Sequence, residues 1–159
     1  MPVERHDKER DCRFDDWRRN NEEKGGVKMT LPLYSTDIDG LEFGYTDDGS
    51  ISLLALIEKK SDKSKWKEKP PSTVIASFKL AQIAGVPFYV NEHNEDRSVW
   101  TVYEITDAAL SRRMILDQCT LFEYLMFICG IHNYAMPENL QKLVKQVVAI
   151  TPEGKSIPA

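Results

Sequence analysis

Cysteine is scarce: Cys12, Cys119 and Cys129 are the only three in 159 residues. They show no metal-ligand spacing and their odd number leaves one unpaired, which points away from a disulfide-stapled domain and toward a reduced, cytoplasmic setting. Histidine is equally rare, and His6, His93 and His132 are too scattered to suggest zinc ligation. No apolar tract approaches the roughly 20 residues of a membrane span, and the charged amino terminus does not read as a secretory signal. Excess positive charge is also missing. A formal net charge of −4 argues against a protein that coats nucleic acid non-specifically, so any DNA contact must come from a local basic surface.

What is present is enough for one domain with a core: 42% of the residues are hydrophobic and 29% charged, over a length that can bury apolar surface. The most legible stretch is Tyr34 to Lys60. Its runs Ile38–Tyr45 and Ile51–Ile57 are rich in β-branched, leucine and aromatic residues, and Thr46-Asp47-Asp48-Gly49-Ser50 between them is turn chemistry. A tight turn centred on Asp48-Gly49 makes facing positions sum to 97, which sets Asp39 opposite Glu58 and Asp37 opposite Lys60. A bulge or a three-residue loop would shift this register by one and turn one carboxylate away.

Like charges facing each other across an antiparallel pair are unfavourable. A divalent cation between Asp39 and Glu58 reverses the sign, because Mg²⁺ is usually held by one or two carboxylates together with water and substrate phosphate. Alternation along the strand sets Glu58 and Lys60 on one face with Lys59 on the other. The plain alternative is an ordinary ion pair between Asp37 and Lys60 near the strand ends. Leu53-Leu54-Ala55-Leu56-Ile57, a buried-type run that stops abruptly in charge, favours a site.

Asp-Ile-Asp-Gly-Leu-Glu-Phe, a turn, then Ala-Leu-Ile-Glu-Lys-Lys resembles the PD-(D/E)XK nuclease superfamily, in which an aspartate is followed after a hairpin by Glu-x-Lys. The resemblance spans about residues 29–105. It implies a restriction-endonuclease-like mixed central sheet flanked by helices, with the remaining residues, about 106–150, as a C-terminal helical extension. Asp39 matches the aspartate of the motif, and Glu58 and Lys60 match Glu-x-Lys. The proline usually written before the aspartate is absent, and Asp37 is a second candidate for its role. The resemblance further implies a Mg²⁺- or Mn²⁺-dependent phosphodiesterase acting on DNA. Asp39, Glu58 and the Lys59 carbonyl would hold the ion, Lys60 would orient or deprotonate the attacking water, and in-line attack would leave a 5′-phosphate. Holliday-junction resolvases and restriction-type endonucleases are similar in size. The alternative is a catalytically inactive module of the same fold that binds nucleic acid or a protein.

The rest of the chain is consistent with that core. Residues 1–28 balance eight Lys/Arg against eight Asp/Glu, with a helix expected around Lys8–Asn20. Superfamily members often bring a further acid from such a helix, and Glu9 or Asp16 could supply it. Met29–Leu33 is expected to open the sheet. Over residues 59–69 six lysines outnumber Asp62 and Glu68, so Lys63, Lys65 and Lys67 could follow a phosphate backbone, with Trp66 to pack or stack. A helix capped by Ser72 or Thr73 should run to Ala84 with Val74, Ile75, Phe78 and Ala81 inward and Gly85 as terminator. By the resemblance its Lys79 or Gln82 would approach the scissile phosphate.

Strands are expected over Val86–Asn91 and Val99–Ile105, while residues 106–117 are ambiguous and leave Arg112 and Arg113 either structural or phosphate-binding. Thr120–Glu123 is a capping box before an apolar helix closed by Gly130. Pro137 opens a last helix whose Leu140, Leu143, Val144 and Val147 form one face. These two helices should cover the sheet, and their surplus apolar surface could support a homodimer. Residues 151–159 read as a loose tail.

Overall fold

The structure is a computed structural model, and it describes residues 38–148. The expected helix at Lys8–Asn20, the strand at Met29–Leu33, the acids Glu9, Asp16 and Asp37, and the carboxy-terminal tail lie outside the described residues.

Alternating apolar runs produce strands β1 (Gly40–Tyr45), β2 (Ile51–Ser61), β3 (Phe88–His93), β4 (Val99–Ile105) and β5 (Arg112–Thr120). They form one sheet in chain order, β1-β2-β3-β4-β5. Every neighbouring pair is antiparallel except β2 with β3, which is parallel. A parallel pair needs a crossover, and here it runs through helix α1 (Ser72–Ala84). Helices α2 (Leu121–Ile131) and α3 (Glu138–Val148) follow the sheet. The result is an α/β domain with a mixed five-stranded sheet. The ambiguous segment 106–117 contains most of β5, so the part expected to be a helical extension begins with a strand, which pairs with β4.

The hairpin departs from the simplest expectation twice. Its connection has three residues: the Gly49 N–H donates to the Thr46 carbonyl at 2.8 Å and the Thr46 N–H to the Ser50 carbonyl at 2.9 Å. Gly49 takes a left-handed φ of 81°, which glycine tolerates without a Cβ penalty. Near this turn facing positions are Phe43 with Leu53 and Tyr45 with Ile51. An irregularity between Glu42 and Phe43 then absorbs Leu54, and beyond it Leu41 faces Leu56 and Gly40 faces Ile57. The three-residue turn moves the register by one and the bulge moves it back.

Two cores sit on the two faces of the sheet. On one face, Val74, Phe78 and Ala81 of α1 pack on Leu56, Phe88, Val90, Tyr103 and Ile105, with Trp66 closing the cluster. Proline ends the preceding loop and supplies the helix N-cap, Pro71, in place of the expected Ser72 or Thr73. Gly85 ends the helix as expected, with a left-handed φ of 70° and its N–H on the last-turn carbonyls. On the other face, Tyr124 of α2 lies stacked on Trp100, ring centroids 4.2 Å apart, beside Val102 and Cys119.

The capping box at the start of α2 forms in both directions: the Glu123 N–H donates to the Thr120 hydroxyl, and the Thr120 N–H donates to the Glu123 carboxylate. This helix runs past Gly130 to Ile131 with His132 as its cap, so Gly130 is not its terminator. Helix α3 packs chiefly on α2 and leaves Leu143 and Val147 exposed. No helix among the described residues is long and apolar enough to cross a membrane.

Candidate active site

The site is built at the point where β2 passes from apolar to charged. Residues 54, 56, 58 and 60 alternate onto the face covered by α1, since Leu56 belongs to that core and side chains of a strand alternate. Parallel pairing sets Glu58 beside Val90 and Lys60 beside Glu92, so the same alternation brings Phe88, Val90 and Glu92 onto this face. Continuing the Gly40–Ile57 register by one step sets Asp39 opposite Glu58.

Glu58 is only 5% exposed, and its Oε1 accepts from the Lys60 Nζ at 2.5 Å. An ammonium at that distance offsets the cost of burying the carboxylate. Asp39 lies at the surface, and its Oδ2 accepts the Lys59 N–H at 2.8 Å. The side chain thereby takes the place of a ladder bond just beyond the end of β1. The N–H and C=O of one residue in an extended strand point to the same neighbour, so the Lys59 carbonyl faces the edge where Asp39 sits, while the exposed Lys59 side chain belongs to the opposite face. Two carboxylates and a carbonyl form a hard oxygen donor set, the kind that suits Mg²⁺ or Mn²⁺. Among the described residues the second oxygen of each carboxylate takes no hydrogen bond, and no cluster of three or more His, Cys, Asp or Glu side chains is assembled for a metal. A third acid, if Asp37 or Glu9 supplies one, lies outside the described residues.

A second buried carboxylate adjoins the first. Glu92, 8% exposed, accepts from the Trp66 indole Nε1–H at 2.9 Å and from the Lys67 Nζ at 3.0 Å. Burial disfavours the Lys67 ammonium, but its hydrogen bond to Glu92 and the Glu92 charge outweigh that, and its pKa is raised above the ordinary lysine value. Trp66 is therefore a core side chain, 1% exposed, rather than a free stacking platform. It meets Tyr103 edge to face, with centroids 5.4 Å apart.

The other expected contacts spread outward. Lys63 pairs with Glu95 at 3.1 Å, both largely solvated, and Lys65 is exposed. Lys79 and Gln82 are exposed positions of α1, off the inward stripe of Val74, Ser77, Phe78 and Ala81. Ser77 is the buried polar residue of that helix, and its hydroxyl has no partner among the described residues. Glu92 lies one residue past the expected strand Val86–Asn91, inside the observed β3. The signal was its spacing from Phe88 and Val90, which continues the apolar face of β3.

Compared with protein-family models, with curated protein sequences and with solved structures, the chain matches none.

Proposed function

We propose that the chain is a divalent-metal-dependent DNA phosphodiesterase of the PD-(D/E)XK type, with Asp39, Glu58 and Lys60 as its catalytic residues. The observation that carries this reading is the buried Glu58 bound to Lys60 on one strand face, with Asp39 held against the adjoining Lys59 backbone. Asp39, Glu58 and the Lys59 carbonyl would hold Mg²⁺ or Mn²⁺, which supplies positive charge where the phosphate oxygens become more negative. The Lys60 ammonium, paired with Glu58, would orient an attacking water beside that carboxylate and stabilise the hydroxide it becomes, the proton of a metal-bound water passing to solvent, while burial of Glu58 limits the access of bulk solvent. Of the lysines on the loop that follows β2, Lys63 and Lys65 are exposed and would lie along the substrate backbone, while Lys67 is engaged by Glu92.

A second reading is a module of the same fold that binds nucleic acid or a protein without turnover. It is favoured by the Lys60 ammonium being tied to Glu58 and by only two acids being in place among the described residues.

Cleavage of labelled single-stranded, duplex, flapped and four-way-junction DNA separates the two, run with Mg²⁺, Mn²⁺ or EDTA for wild type, Glu58→Gln and Lys60→Ala. The enzyme reading expects metal-dependent cutting that both substitutions abolish. Wild type inert across the panel, or variants that cut equally well, transfers the conclusion to the binding module.

A further inference from the structure

Arg112 and Arg113 open β5 side by side, and the structure separates them. Arg113 pairs with Glu104. Alternation sends Arg112 to the other face, where its guanidinium carbon stands 5.9 Å from the centroids of both Trp66 and Tyr103. Lys67 lies over the same Tyr103 ring at 5.5 Å. Glu92 neutralises Lys67, whereas Arg112 is exposed and has no carboxylate partner among the described residues.

We infer that Arg112, seated on the Trp66–Tyr103 aromatic pair, is a nucleic-acid phosphate contact on the same face of the sheet as Glu58 and Lys60. The inference rests on the nuclease-type reading of that face. Tyr103 pairs with Val90, which pairs with Glu58. At about 4.8 Å between strands, the arginine shelf stands on the order of 10 Å from the carboxylate. Cation–π attraction to the two rings restrains the guanidinium and leaves its N–H donors free for bidentate phosphate binding. Glu92 is the positioning residue: by accepting from Trp66 and Lys67 it ties the loop after β2 to β3, and so holds Trp66 beside Tyr103 in the shelf.

The test is fluorescence anisotropy of a labelled duplex oligonucleotide in EDTA, over a KCl series. Arg112→Gln should weaken binding about tenfold and lower the slope of log K against log salt by about 1. Arg112→Lys, which keeps the charge and serves if the glutamine variant unfolds, should retain the slope and lose part of the affinity. Arg113→Gln should bind as wild type does. An RNA duplex run alongside identifies the polymer, and the same Arg112 dependence on either supports the contact. Absence of wild-type binding at low salt, an unchanged Arg112→Gln, or an equal loss in Arg113→Gln overturns it. Cutting assays on the same proteins keep the two readings apart. Arg112-dependent binding without any cleavage sinks the nuclease while the contact stands, and cleavage with Arg112→Gln at unchanged affinity sinks the contact while the nuclease stands.

Discussion

The Asp39 carboxylate accepts the Lys59 N–H at 2.8 Å across the mouth of the hairpin, clamping β1 to the strand that carries Glu58. That clamp depends on the bulge at Leu54. Without it the three-residue turn would carry the register on unchanged and bring Asp39 opposite Ile57. Deleting Leu54 excises only the extra residue and keeps Glu42 opposite Ala55, and so Asp39 opposite Glu58, whereas deleting Glu42 from β1 slides Asp39 to Ile57. Metal-dependent cleavage should survive the first deletion and be lost in the second, with a circular dichroism spectrum checking that the sheet is still in place.

Lys60→Ala leaves Glu58 buried without its cation. Removing one partner of a buried pair costs about 3–5 kcal/mol, and urea unfolding should show a loss of that order. Added Mn²⁺ should then raise the melting temperature of Lys60→Ala more than that of wild type, since an ion that binds the folded state stabilises it. Equal metal shifts in the two proteins would argue against an ion at Glu58.

Trp66→Phe removes the indole donor from the buried Glu92 while keeping an aromatic ring in the core. An acceptor left short of its partner costs about 1–3 kcal/mol, to be read from chemical denaturation. The loop after β2 should also become more sensitive to trypsin at Lys65 and Lys67.

The Glu123 carboxyl is held below the ordinary glutamate value of 4.5 by the Thr120 backbone N–H and then by the Thr120 hydroxyl. A folded-state pKa that is depressed contributes stability above 4.5, and the contribution is lost as pH falls through the folded value. The stability difference between wild type and Glu123→Gln should thus shrink on acidification below pH 4.5, measured by urea unfolding across a pH series.

Gly49→Ala places a Cβ at a φ of 81°, where an L side chain is strained although nothing lies within 4 Å. A destabilisation of about 1 kcal/mol is expected in denaturation curves.

Much of this was legible in the residues. The hairpin, α1 with its glycine terminator and the Thr120–Glu123 box are local signals, each written in a few adjacent side chains. The alignment of Asp39 with Glu58 was also anticipated, but through a two-residue turn. The actual hairpin reaches it through two opposite one-residue shifts, because burying Leu56 and Ile57 sets the register more strongly than the turn does. Long-range partners were not legible. Nothing around Trp66 announces that Glu92 waits on β3, and nothing around Arg112 announces Tyr103, because those contacts exist only once the crossover through α1 has laid β3 beside β2. The five-stranded architecture is described by the structure, while the proposed nuclease reading rests on Asp39, Glu58 and Lys60.

The chain-order sheet has a kinetic consequence. Every ladder but one joins strands linked by short connections, so those ladders can close early and independently. The parallel β2–β3 ladder must wait for the whole segment containing α1 to be ordered, which makes it the longest loop closure among the described residues. Weakening structure already formed at that closure slows refolding, so Ala81→Gly in α1 and a loosened hairpin turn should both slow refolding more than they hasten unfolding. Glu58 and Glu92 reside on the two strands of that ladder, as do Leu56, Phe88 and Val90 of the core beneath α1, so the charged cluster is expected to assemble together with that core, in one closure.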